Sequence, residues 1–160
     1  MAVGVTADLL AGLRDLDSLH PAVVTIPIGL LVGSVLLDLI GLLSRRGDAQ
    51  TAARWALWLG TAAMGAALYT GHTAEEAAEQ YMSSTATAIM ETHHTLGFVT
   101  LGIGIVLSIW RLFDAAALRW RPAYVAITLG LLTTLLMGAD LGGHLVFGHG
   151  VGLHAVDQTP

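Results

Sequence analysis

Four long apolar runs, set apart by short polar stretches, dominate the chain. They cover roughly residues 22–43, 53–71, 88–113 and 123–147. About 20 consecutive apolar residues in helical form cross a bilayer core, so each run reads as a membrane span. Before them, Leu9, Leu10, Leu13 and Leu16 recur at helical spacing among Asp8, Arg14, Asp15 and Asp17. That stretch is too short to span and predicts a helix lying on the membrane surface. The pattern divides the chain into a surface segment (1–19), a four-span membrane domain (20–153) and a tail (154–160). The expected fold class is all-α: an integral membrane four-helix bundle with both termini on the outer side. Pro27 is expected to kink the first span, and Gly29 with Gly33 forms a GxxxG pair that permits close helix contact.

The polar stretches set the orientation. Loops 44–54 and 111–121 carry six of the seven arginines, and the chain has no lysine. The positive-inside rule therefore puts both loops in the cytoplasm. Trp55, Trp58, Trp110 and Trp120 flank these loops as an interfacial aromatic belt would. Residues 72–87 read as an acidic, partly helical loop on the outer side. Asp38, inside the first run, is expected to pair with a loop arginine rather than to relay protons.

Composition then narrows the possibilities. With 54% hydrophobic and 12% charged residues, the chain lies well outside the soluble norm. Without cysteine it has no disulfide, thiolate metal site or thiol nucleophile. A net charge of −5 and the lack of a basic patch argue against a nucleic-acid partner. The N-terminus lacks a basic region followed by an apolar core, so no cleavable signal peptide is expected.

Against this background the histidines stand out. His20 precedes the first span, His72 follows the second, His93 and His94 begin the third, and His144 ends the fourth, with His149 and His154 just beyond. By the topology above, all seven fall at the outer end. The stretch Gly138–His154 alone holds three histidines, Asp140 and six glycines. Imidazole at the mouth of an apolar bundle is costly to bury and ligates well.

Imidazoles on facing helices can hold zinc, copper or iron, and two of them can clamp a haem iron from both sides. Gly71, Gly97, Gly138, Gly142 and Gly143 lie near the histidine level, where a porphyrin needs room. Depth follows from helical rise. His72 lies eighteen residues beyond Arg54 and His94 seventeen before Arg111, about 26 Å in each case. His20 and His144 sit higher. Two pairings follow: His72 with His94, preferred for its depth, or His20 with His144 or His149. His93 points about 100° away from His94, so the two cannot bind one iron. Glu91 and His94 make a Glu-x-x-His pair, but a di-iron site uses two such motifs. Asp140 lies one turn from His144 and is placed to orient its ring. Copper held by histidine with Met82 or Met90 has no repeated pattern behind it. No hydrolase or nucleotide motif appears, and no inverted repeat suggests a transporter.

His20–Ile40 (HPAVVTIPIGLLVGSVLLDLI) and Leu141–Leu153 (LGGHLVFGHGVGL) together resemble a bacterial family of small four-span membrane proteins, the domain of unknown function number 2231. The matching positions are His20-Pro21, Pro27, Asp38, Gly71, His93 or His94, Gly142, Gly143, Leu145, Val146, His149, Gly150, Val151 and Gly152. The resemblance covers about 20–153. Some members of that family are joined to Rieske-type iron–sulfur domains, which implies electron transfer at the outer face; this chain has no such domain. His72 and His144 fall where the family pattern does not call for histidine.

The expected function is a redox subunit of the bacterial inner membrane. It would bind b-type haem, one or two, through outer-face histidines, and pass electrons within a larger complex. That role is an electron-transfer subunit rather than a stand-alone enzyme; its partners are the bilayer and other membrane or periplasmic redox subunits. The alternatives are a structural or assembly subunit with no cofactor, and a histidine/carboxylate site for copper or iron.

Overall fold

The computed structural model describes residues 19–113 and 122–152. The surface segment, Arg14, Arg119, Trp120, Arg121, His154 and the tail lie outside the described residues. Those described form four α-helices: α1 (His20–Leu43), α2 (Gly47–Ala78), α3 (Ser84–Leu112) and α4 (Pro122–His149). A 3-10 turn, Glu79–Tyr81, joins α2 to α3. The all-α class is as expected.

Local chemistry sets the ends. Pro21 sits in the first turn of α1, where its missing N–H costs no helical hydrogen bond. Arg45 takes a positive φ of 55°, which reverses the chain within three residues and lays α2 antiparallel to α1. Gly41 makes that turn tight, because a Cβ there would meet the Gln50 side chain at 2.6 Å. Ser83 caps α3 by accepting from the Ala86 N–H at 3.2 Å, the usual N-cap device.

Helix α2 differs most from expectation. It runs unbroken through 47–54, read from sequence as loop, and through 72–78, part of the stretch read as a partly helical loop. These stretches are rich in alanine, glutamine and glutamate, which favour helix whether or not it is in lipid. Three helices, α1, α3 and α4, are long and apolar enough to cross a membrane. The α2 helix lacks a comparable apolar window, and beside Leu57 and Met64 its inward positions include Ala53, Gly60, Thr61, Ala67 and Gly71. These small residues let it pack closely along α1. Outside, Leu36, Leu43, Phe98, Leu129 and Phe147 are exposed, an apolar exterior that suits lipid and not water.

The helices follow one another around the bundle. α1 packs on α2, α2 on α3 and α3 on α4, while α4 and α1 barely touch. Leu31, Leu57, Leu107, Leu131 and Leu135 fill the middle with Tyr124, all essentially buried. This leucine plug takes at least one residue from every helix.

The two hairpins, α1–α2 and α3–α4, repeat one pattern. With His20 paired to His93 in register, buried Pro27, Leu31 and Ser34 fall on buried Thr100, Gly104 and Leu107. Asp38 falls on Arg111. With Gly71 paired to Gly142, buried Ala53, Gly60, Met64 and Ala67 fall on buried Tyr124, Leu131, Leu135 and Gly138. This is a parallel repeat about an axis along the bundle, not the inverted kind. It places α1 and α3 diagonally across that axis.

At one end the repeat-equivalent Asp38 and Arg111 form an ion pair. Arg111 is 1% exposed and belongs to the last turn of α3, not to the loop. The Tyr124 hydroxyl donates to Asp38 at 3.0 Å, and Arg111 also donates to the Gln50 carbonyl at 3.0 Å. All four helices are thus tied at a single point. Asp38 does find an arginine, as expected.

Candidate functional site

The antiparallel order brings all six described histidines to the end opposite that ion pair. Below them, beside the axis, lies a cavity of about 910 Å³ lined by residues of all four helices. Its histidines are His20, His93, His94 and His149, and its glycines include Gly71, Gly97, Gly138 and Gly142. Toward the bundle centre it reaches Thr100 and Thr134, whose hydroxyls bond at 2.9 Å. Leu135 marks where it meets the leucine plug.

Two imidazoles are held in the same way. His93 Nδ1 lies 2.9 Å from the Gly138 carbonyl. A carbonyl only accepts, so Nδ1 donates, and in the neutral ring Nε2 keeps its lone pair. His20 Nδ1 lies 3.2 Å from the Thr70 hydroxyl. That hydroxyl donates to the Ala67 carbonyl at 3.1 Å, so it accepts from His20, and Nε2 is again the bare nitrogen. Ala67 and Gly138 are repeat-equivalent. So are Gly71 and Gly142, on which the two rings rest: a Cβ would come within 3.0 Å of His20 at Gly71 and 3.1 Å of His93 at Gly142. Neither Nε2 makes a hydrogen bond among the described residues. An imidazole fixed through Nδ1 with Nε2 bare is the usual posture of a metal-ligating histidine.

His94 also presents Nδ1 to a partner, the Glu75 carboxylate on α2 at 3.0 Å, and lines the same cavity. It lacks the repeat-equivalent place that His20 and His93 share. His72 is 65% exposed, between Glu75 and Glu76. Because α2 stays helical past Gly71, the next residue turns about 100° outward. The preferred pairing of His72 with His94 therefore has only one member on the cavity wall. His144 is exposed and rests edge-on against His149, ring centroids 5.0 Å apart. Asp140 is exposed too and makes no ion pair among the described residues, so it does not orient His144. Of the alternative pair His20 and His144, only His20 reaches the cavity, and His149 lines it from the end of α4.

The glycines also act differently from expectation. Gly71 and Gly142 seat imidazole rings instead of leaving room for a macrocycle, while a Cβ on Gly143 would meet open space. Gly142→Leu is therefore expected to unseat His93 and cost about 1–3 kcal/mol, the usual range for overpacking. Gly143→Leu is expected to be silent. Thermal unfolding in detergent compares the two, and equal behaviour would contradict this assignment. No group of three or more His, Asp or Glu side chains converges on metal-ligand spacing among the described residues.

The sequence reading missed the standing of His93, together with Thr70, Ala67, Gly138 and Glu75. A signal for His93 was present. Asp38 follows His20 by eighteen residues, and Arg111 follows His93 by the same interval.

These features define a helical membrane protein with a histidine-lined cavity at one end. The chain belongs to the family of predicted membrane proteins DUF2231, which it matches over residues 16–155. No curated protein and no solved structure matches it.

Proposed function

We propose that the chain is a membrane redox subunit whose cavity holds one b-type haem between His20 and His93. One observation carries this reading: two imidazoles at repeat-equivalent positions on diagonal helices, each fixed through Nδ1, each with Nε2 unpartnered. Two such imidazoles would suffice to hold a haem iron, whereas a bare zinc or copper site needs three or four converging ligands. The cavity volume of about 910 Å³ falls at the upper end of the roughly 300–1,000 Å³ common for ligand and cofactor sites.

Bound there, haem supplies one-electron exchange. The chain's own residues fix the axial rings through Thr70 and the Gly138 carbonyl, and exclude water with Met64, Leu68, Met90 and Leu145. With the arginine end toward the cytoplasm of a bacterial inner membrane, the histidine end faces outward. Electrons then pass to and from membrane or periplasmic redox subunits of a larger assembly. Protein purified gently with its native partners is expected to show a Soret band with low-spin bis-histidine features. No haem absorbance in that preparation would overturn the proposal and favour a structural role for the cavity.

A further inference from the structure

We infer that haem reaches this cavity sideways from the bilayer, through a slot between α1 and α4, and not through the end of the bundle. The inference rests on the haem reading above. By the repeat, the α4–α1 seam corresponds to the α2–α3 seam. The α2–α3 seam is packed, whereas α4 and α1 barely touch. The cavity comes to the surface along the open seam, since Ala139 both lines it and is exposed. Ala139 lies ten residues before the end of α4, about 15 Å along the helix, so this opening is in the side wall.

The lips are apolar and low. Val24 and Ile28 line one side, Ala139 and Val146 the other. Ala139 and Gly143 leave the outer flank of α4 without bulk; a Cβ at Gly143 would meet nothing within 4 Å. Haem is a flat apolar ring with two carboxylate tails, a molecule that partitions into the outer part of a bilayer. A flat ring entering by this slot would meet His20 on α1 and His93 on α3, which both line the cavity. The end of the bundle offers a poorer route. There Ala77, Gly150 and Gly152 line the opening at the helix ends, away from the lipid in which an apolar ring dissolves.

The absence of native cysteine makes a direct test available. Ala139→Cys and Ala77→Cys variants are expressed without haem synthesis, placed in lipid nanodiscs, and labelled or not with a bulky aryl maleimide. Hemin is then supplied in liposomes and the Soret band followed with time. Labelling at position 139 is expected to slow uptake more than about tenfold, the factor that about 1.4 kcal/mol of added barrier produces. Labelling at position 77 is expected to leave the rate unchanged. Equal rates for labelled and unlabelled Ala139→Cys, or slowing confined to Ala77→Cys, would overturn the lateral route while leaving the haem site standing. An unlabelled wild-type chain that takes up no hemin would overturn the haem reading, and the route with it.

Discussion

His93→Ala is expected to abolish the low-spin bis-histidine spectrum, and His20→Ala to do the same. Each removes one of the two proposed donors, and the other cavity imidazoles among the described residues, His94 and His149, stand outside the repeat-equivalent pair. His72→Ala and His144→Ala are expected to leave the spectrum intact, because those rings are exposed and off the cavity wall. His94→Ala is expected to retain a Soret band, since His94 points toward Glu75 on α2. Replacing the outer partner, as in Thr70→Val, is expected to weaken haem retention by about 10–100-fold, the usual effect of losing a group that orients a ligand. Absorption and electron paramagnetic resonance spectra of the purified variants decide this. A spectrum lost in His94→Ala and kept in His93→Ala would move the site to the α2 side of α3.

The second large effect is expected at the opposite end of the bundle. Arg111→Ala leaves Asp38 charged and half-sequestered, and strips Tyr124 and the Gln50 carbonyl of their shared donor. Breaking a buried pair from one side costs about 3–5 kcal/mol, while replacing both members with apolar residues of similar size costs far less. The double variant Asp38→Leu/Arg111→Leu is thus expected to be more stable than Arg111→Ala. The repeat adds a sharper expectation: exchanging the two, Asp38→Arg with Arg111→Asp, recovers most of the loss, because the positions are equivalent about the axis. Unfolding in mixed detergent micelles measures all three. An exchanged variant no better than Arg111→Ala would mean that the two hairpins are not interchangeable here.

Much of this architecture was legible from the pattern of residues. The apolar runs located α1, α3 and α4 because lipid-facing helices need apolar length, and length shows in sequence. Gathering the histidines at one end required only alternation of the helices. What stayed hidden depends on rotation about each helix axis. Gly71 and His72 are neighbours in sequence, yet one faces the axis and the other the outside. In membrane helices that are apolar all round, hydrophobic periodicity gives little rotational phase. The choice of His94 over His93 failed to anticipate the pinning of His93 for the same reason. The carbonyls of Ala67 and Gly138 matter through their backbone, which side-chain identity does not reveal. The repeat was masked because its equivalent positions differ in chemistry, Pro27 against Thr100 and Asp38 against Arg111.

The leucine plug has a consequence for energy conversion. Leu31, Leu107 and Leu131 are at most 1% exposed, and they stand between the histidine cavity and the Asp38–Arg111 pair. Packed leucine holds no water, so these side chains interrupt any water-filled path between the two ends among the described residues. If the cavity holds haem as proposed, the subunit is expected to exchange electrons without conducting protons along the bundle axis.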